Sequence, residues 1–403
     1  MNVLVSILGL ALLILVHEAG HFFTALAVKM RPRKFYIGFP PAVAKVKRNG
    51  IEYGIGAIPL GGYVKIPGMH RPAGPDLDVG LERARKEAPE LTGPIARVER
   101  PLEAGDLEGA RAALAELEAA VAAADISPST RAAAERVLRD IDDGLAPDAY
   151  WRAGVWKRVA VIAAGPGTNL AFAIVLFAIL FMLGTTQATR TIASLDTAKP
   201  AAKAGMRPGD EIVAINGQPV GPDDIAARIV ASKGRPLRIT VVRDGRRVAL
   251  PPVRAVKTAG RYVIGIRLEG VEGPGESPPA AFRKSFQVTW DVTTEIGKSL
   301  LRLSRGQGKE EISSPVGIVQ GSSEALKQGF ETYLSVLGLI SLSLALLNLL
   351  PLLPLDGGHI TFSIIEGIRG RAVPRHVYEK VSAVGIALVL LLFFTGLSND
   401  LGN

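Results

Sequence analysis

The chain has 403 residues, of which 48% are hydrophobic and 6% aromatic, and it carries a net charge of +9. Its basic residues are scattered rather than gathered on an aromatic platform, which argues against nucleic acid as a partner and for anionic lipid. It contains no cysteine, so disulfides and thiolate metal sites are excluded and any metal must be held by histidines and carboxylates.

In chain order, Val3 to Val28 reads as a first transmembrane helix, since about 20 apolar residues suffice to span a bilayer. Inside it lies His17-Glu18-Ala19-Gly20-His21. On a helix this spacing puts two imidazoles one turn apart on one face, where both can bind one zinc, with the Glu placed as general base. Ionisable groups at membrane depth are costly, so they point to function. Ala25-Leu26-Ala27 imitates a signal-peptide cleavage site, but the uncharged start and the embedded His-Glu-His favour a retained helix. Lys29, Arg31, Arg33 and Lys34 follow and place this end in the cytoplasm.

Phe35 to Met69 predicts β structure. Val43–Arg48 and Ile51–Ile55 flank Asn49-Gly50, a type I′ hairpin signal, and Ile58–Ile66 adds a Gly-rich strand. This is either a small cytoplasmic sheet or a sheet edge beside the active site. From His70 to Asp148 the composition turns to Ala, Glu and Arg. Helical patterning at Leu107–Ala124 and Ser129–Leu145 predicts a polar helical hairpin with disordered flanks, a solvated spacer. Val159 to Leu183 is the second span, anchored by Trp151, Arg152, Trp156, Lys157 and Arg158. It contains Gly165-Pro166-Gly167-Thr168-Asn169, where Asn169 either hydrogen-bonds across helices or shapes the site.

Thr189 to Gly270 predicts a β-rich domain with strands at Glu211–Ile215, Leu237–Val242 and Tyr262–Ile266 and hairpin turns at Asn216-Gly217 and Asp244-Gly245. Pro274 to Pro279 reads as a linker. Ala280 to Leu303 carries Phe282, Phe286, Trp290 and Ile296 at helical spacing, an amphipathic helix for the membrane surface or for packing on the protein itself. Tyr333–Leu350 and Val381–Leu397 are the third and fourth spans, with Arg369, Arg371, Arg375 and Lys380 between them. One topology places every basic cluster inside: both termini outside, the early and late loops in the cytoplasm, and residues 184–330 outside.

Catalytic zinc usually keeps three protein ligands and an open position. Asn348-Leu-Leu-Pro-Leu-Leu-Pro-Leu-Asp356-Gly-Gly-His359 breaks the third span with two prolines and two glycines, and broken helix at membrane depth is tolerated where it is buried or lines a cavity. Asp356 is the most suggestive third ligand.

These residues resemble the site-2 protease family (peptidase family M50), in particular the bacterial regulator-of-sigma-E type. The resemblance is carried by His17–His21, Tyr53–Lys65 with its Gly61-Gly62-Tyr63, Ala164–Asn169, Pro315–Ile318 and Asn348–His359, in that order, while Pro200–Gly217 is similar to a PDZ domain. It implies a polytopic α-helical membrane protein with four transmembrane helices, a small membrane-associated β segment and one extracytoplasmic PDZ-like domain. The expected segments are 1–30, 31–69, 70–148 (a cytoplasmic helical insert), 149–188, 189–270 (PDZ-like), 271–330 and 331–403. By the same resemblance His17, His21 and Asp356 bind zinc and Glu18 is the general base. Asn348 binds the substrate backbone or steadies the cleavage intermediate. Gly61, Gly62 and Tyr63 receive substrate as an added strand, and Tyr262–Ile266, with Gly265 and Ile266, forms a PDZ peptide loop or belongs to a domain that only filters by size. The implied activity is zinc-dependent cleavage of single-span proteins such as anti-sigma factors in the inner membrane, near its cytoplasmic face. The alternative is a non-catalytic membrane scaffold that binds peptide ends through its PDZ-like domain. The chain departs from the family in its large insert, its single PDZ-like unit and Gly38-Phe39-Pro40 where Gly-Phe-Gly is common.

Overall fold

The computed structural model describes residues 2–184, 186–258, 261–309, 312–371, 373 and 375–401. The side chains of Phe39, Pro40, Ile58, Pro59, Leu60, Thr186, Gln187, Asp223, Arg261, Glu272, Arg375 and His376 lie outside the described part. The chain divides into two units, residues 1–177 with 282–403, and Ala178–Ala281.

The first unit opens with α1 (Asn2–Ala27), which is apolar on all sides. What distinguishes its packed face is mostly size and polarity: Ser6, Gly9, Leu13, His17, Gly20, His21, Phe22 and Ala25 are buried, and from Ser6 to Gly20 they recur every three or four residues. In a bilayer, where lipid is as apolar as leucine, small residues and interhelical hydrogen bonds mark helix contacts. A Cβ on Gly20 would fall 2.4 Å from the Ala164 carbonyl, and the Thr168 hydroxyl donates to the Val16 carbonyl at 3.0 Å.

Next come β1 (Lys34–Arg48) and β2 (Ile51–Lys65), joined by Asn49-Gly50, both at positive φ as a type I′ turn requires. The expected separate strands Ile51–Ile55 and Ile58–Ile66 are one bent strand. Lys34–Ile37 lies between Glu52–Ile55 and Gly62–Lys65, while Ala42–Arg48 closes the hairpin on Ile51–Gly56. Gly62–Lys65 is therefore an edge ribbon, with no strand on its other side among the described residues.

The insert departs from expectation. The stretch before Leu107 is not disordered: it forms α2 (Gly74–Gly80), α3 (Glu82–Glu87) and α4 (Thr92–Ala104), which join α5 (Leu107–Ala123) and α6 (Pro128–Leu145) around one core. Leu77, Leu81, Ala84, Ala88, Leu91, Ile95, Val98 and Leu102 recur at alternating spacings of four and three and are all buried. Gly80, Pro89, Pro94 and Pro101 interrupt that pattern in sequence, yet Pro89 opens a 3₁₀ turn and Pro94 sits in the first turn of α4, where no amide donor is needed. The insert is thus a small helical domain rather than a spacer.

The second span is α7 (Val155–Leu183), helical through Pro166. Within the second unit, β3 (Thr186–Leu195), β4 (Glu211–Ile215), β5 (Gln218–Pro219), β6 (Pro236–Leu237), β7 (Ile239–Arg243), β8 (Arg246–Ala249), β9 (Val253–Arg254), β10 (Val256–Thr258), β11 (Arg261–Val263) and β12 (Ile266–Glu272) follow. The main antiparallel sheet has the order β12-β3-β4-β7-β8, and α8 (Pro200–Lys203) and α9 (Pro222–Ala231) complete the unit. Its core is built on Ile192, Ile212, Ile215, Ile225, Ile239 and Val241. Buried Asp210 is held by Arg243 at 2.7 and 2.8 Å. The expected strand Tyr262–Ile266 is interrupted at Ile264-Gly265, where Gly265 has φ +83° and the two carbonyls accept from the Ala201 and Asp196 amides.

The first unit resumes at Phe282, within α10 (Pro278–Ser304), and continues with α11 (Pro315–Gln328), α12 (Phe330–Asn348), α13 (Asp356–Arg369) and α14 (Arg375–Leu401). α10 exposes Phe282, Phe286 and Trp290 and buries Ser285 and Thr289. Four helices, α1, α7, α12 and α14, are long and apolar enough to cross a membrane. Ser341 of α12 donates to the Asn169 carbonyl of α7 at 2.8 Å, and Tyr333 to the Val5 carbonyl of α1 at 3.1 Å.

Within the insert, the Glu87 carboxylate accepts from the Ser127 amide (2.8 Å) and the Thr130 hydroxyl (2.7 Å), fastening α3 to the start of α6. Those bonds hold its carboxyl down at about 2, below the usual 4.5. A depressed acid stabilises the fold fully above its unfolded value and loses that contribution as pH falls toward the folded one. Hydrogen exchange on the full chain should therefore show the start of α6 protected above about pH 5 and loosened near about pH 3, after correction for intrinsic rates. Glu87→Gln should show the loosened state at both.

Candidate metal centre

α1 supplies two imidazoles. His17 and His21 are both buried, with ring planes at 83° and Nε2 atoms 3.2 Å apart. The third group comes from the break after α12. Two prolines at 351 and 354 end the helix, and Gly357 and Gly358 let the chain press back on itself: a Cβ on Gly357 would fall 2.2 Å from the Leu350 carbonyl. This folding puts Asp356, the first residue of α13, beside α1. Its Oδ2 lies 3.1 Å from His17 Nε2 and 3.4 Å from His21 Nε2.

The spacing of these three atoms is informative. Tetrahedral zinc with bonds of about 2.0–2.2 Å sets neighbouring donors about 3.3–3.5 Å apart. Asp356 Oδ2 is closed off from solvent and makes no hydrogen bond, although two ring nitrogens lie close by. Leaving a buried carboxylate oxygen unpaired is costly, so the donor set fits a bound cation. His17, His21 and Asp356 are the one His/Cys/Asp/Glu cluster of metal-binding geometry among the described residues.

The outer ring atoms are also placed for this. His21 Nδ1 lies 2.8 Å from the Val161 carbonyl, so Nδ1 carries the proton and Nε2 is left with a free lone pair. His17 Nδ1 faces the Asn169 side-chain amide at 3.5 Å, and the buried atom of that amide without a partner is Oδ1. Turning the amide over lets Oδ1 accept from His17 Nδ1–H, which leaves Nε2 of His17 free as well. Gly165 of α7 passes so close that a Cβ there would lie 2.2 Å from His21 Nε2.

Glu18 follows His17 and points toward the edge ribbon. A Cβ on Gly62 would fall 2.2 Å from Glu18 Cγ, and the Val64 amide faces the carboxylate. Gly62 is thus brought to Glu18, with Gly61 and half-buried Tyr63 on either side of it in β2. Asn348 is the last residue of α12, half-buried, and has no side-chain hydrogen bond to the triad among the described residues. Gly265 and Ile266 lie in the second unit. Sequence reasoning named Asn169 but left its partner open, and it passed over Tyr378, whose hydroxyl is 2.6 Å from His359 Nδ1. That contact occupies His359 away from the triad. An Asn inside an apolar span is the signal for the first; nothing in sequence marks the second.

Comparison with known proteins follows the same direction. The sequence profile described as Peptidase family M50 matches residues 5–392. A protein of Agrobacterium fabrum is 29% identical over 413 residues, covering 98% of this chain and 94% of its own length. One of Lactococcus lactis is 27% identical, covering 97% and 96%, and one of Nostoc sp. is 29% identical, covering 97% and 93%. All three carry the provisional name of zinc metalloprotease.

Removing the acceptor behind His17 should loosen the metal without moving its ligands. Asn169→Leu is expected to weaken zinc affinity by about 10–100-fold in a chelator-competition titration of the solubilised full chain, while Asn169→Asp retains it.

Proposed function

We propose that this chain, which belongs to peptidase family M50, is an intramembrane zinc endopeptidase that cuts the membrane-spanning segments of single-span proteins. The observation that carries this reading is the meeting of His17, His21 and Asp356, contributed by α1 and by the break between α12 and α13. Those three residues hold zinc. When bound there, zinc supplies Lewis acidity, polarising a peptide carbonyl and making water nucleophilic near neutral pH.

The remaining work falls to the chain's own residues. A carboxylate oxygen of Glu18 takes the proton of the attacking water and delivers it to the leaving amide nitrogen. The Val161 carbonyl and Asn169 keep the two imidazoles in the tautomer that leaves Nε2 free. A helical substrate hides its carbonyls in its own hydrogen bonds and must unwind before it can be attacked. Gly61, Gly62 and Tyr63 on the edge ribbon receive the unwound segment as an added strand and satisfy its exposed backbone, which lipid cannot do. Asn348 binds the substrate backbone or steadies the tetrahedral intermediate.

The protein works in the inner membrane with the site near the cytoplasmic face. Basic clusters after α1, before α7 and between α13 and α14 support that orientation, and it places residues 184–330 outside. Residues 189–270 act as a PDZ-like unit. Its sheet flanked by α9 and its positive-φ Gly265 support this, with Gly265 and Ile266 in a loop that meets an extended peptide end or guards access by size. Anti-sigma factors are the substrate type. A non-catalytic scaffold gives no account of an assembled donor triad with a carboxylate beside it.

In proteoliposomes carrying a single-span substrate, Glu18→Gln should lower the cleavage rate by about 10²–10⁴-fold. Zinc content should stay at the wild-type level. Equal cleavage by the variant would refute the protease reading.

A further inference from the structure

The helical insert takes no part in the chemistry of the metal centre, yet its α6 is fastened to the ribbon that faces Glu18. Asp143 of α6 is only 13% exposed, and its two oxygens take different partners: Oδ1 meets Arg33 Nε at 2.8 Å and Oδ2 meets Lys65 Nζ at 2.9 Å. Arg33 immediately precedes β1 and Lys65 ends β2, and the Arg33 amide donates to the Lys65 carbonyl at 2.7 Å. One carboxylate thus bridges the two chains whose pairing forms the edge ribbon. Asp148 grips the same guanidinium at 3.0 and 3.1 Å, and Asp140 meets Lys65 Nζ at 2.7 Å. The residue next to Lys65 is Val64, whose amide faces the Glu18 carboxylate, and three residues before Lys65 Gly62 packs directly on the Glu18 side chain.

Resting on the protease reading above, we propose that Asp143 is a positioning residue for cleavage: by bridging Arg33 and Lys65 it sets the edge ribbon Gly62–Lys65 against Glu18. The insert is then the anvil on which the substrate-receiving strand is held. A bare hairpin fixed only to α1 would slide when a substrate strand pulls on it. Ion pairs that are mostly shielded from solvent resist that motion better than exposed ones, which count for little. The contact is separable from the insert's own stability. The insert's core is built from α2 to α6 alone, and residues 67–68 stay attached through the Tyr150 and Trp151 amides, which donate to the Pro67 and Gly68 carbonyls at 2.9 and 3.1 Å.

The test uses the full chain in proteoliposomes with a single-span substrate, comparing wild type, Asp143→Asn, Asp143→Glu, Lys65→Met and Glu18→Gln. Asp143→Asn is expected to lower kcat/KM by about 10–100-fold, as a misplacement near 1 Å would. The signature is a raised KM at unchanged zinc content, with Asp143→Glu recovering much of the loss. A role in stability alone would reduce the active fraction and leave KM where it was. Lys65→Met, which leaves Arg33 and the insert core untouched, is expected to raise KM in the same way. Hydrogen exchange supplies a readout independent of activity: amides 62–65 should exchange faster in both variants while the α4 and α5 core stays protected. Wild-type KM in both variants, or unaltered exchange at 62–65, would overturn the proposal. Wild-type cleavage by Glu18→Gln would sink the protease reading instead, and the exchange result would still decide whether Asp143 holds the ribbon.

Discussion

Three electron-pair donors that converge away from solvent with no protein proton among them repel one another unless a cation lies between them. His17, His21 and Asp356 are such a set, with donor atoms 3.1 to 3.4 Å apart. Much of the surrounding structure exists to tolerate this. Gly20 and Gly165 bring α1 and α7 within backbone contact, so that the Val161 carbonyl and Asn169 stand behind the rings. Gly357 and Gly358 fold the chain after α12 tightly enough to return Asp356 to α1. Each of these glycines is a place where a methyl group would collide with backbone or with a ligand ring, and each serves the meeting of three side chains from two distant parts of the sequence.

Hydrolysis needs more than the donor set. A peptide bond within a lipid-embedded helix is protected twice, by the helix's own hydrogen bonds and by the exclusion of water. In the proposed mechanism the edge ribbon beside Glu18 answers the first problem, by offering backbone partners to an extended segment. Its value depends on where it stands, and in this chain its position is coupled to an entire helical domain through Asp143, Arg33 and Lys65. On the proposed reading, the chemistry and the delivery of the substrate are built from separate parts, coupled through Asp143.

The four long apolar helices, the hairpin turn at Asn49-Gly50 and the convergence of His17, His21 and Asp356 were legible because each depends on local pattern or on residue types that are rare in such surroundings. Charge-free apolar runs of this length mark helices able to cross a bilayer, and a histidine pair at helical spacing suits a metal. Asp356 was legible because a carboxylate at a broken span demands a partner. What was hidden depends on tertiary context. The heptad from Leu77 to Leu102 is regular, but Gly80 and three prolines mask it; a new helix begins just after Gly80, Pro89 opens a 3₁₀ turn and Pro94 sits in the first turn of α4, while Pro101 is carried within the last turn of α4. Asn169 was visible as an oddity, while its partner His17 lies 152 residues away. The bridging of Arg33 and Lys65 by Asp143 has no sequence signature, since a charge run on a polar helix usually marks a solvated face.

The most direct test is zinc X-ray absorption on the purified full-length chain, wild type and Asp356→Ala. The wild type should hold one zinc with two imidazole nitrogens and a carboxylate oxygen at about 2.0–2.2 Å. The variant should lose the carboxylate scatterer and most of its metal. A wild type whose zinc shell lacks imidazole, or an Asp356→Ala variant with an unaltered shell and full occupancy, would contradict the account.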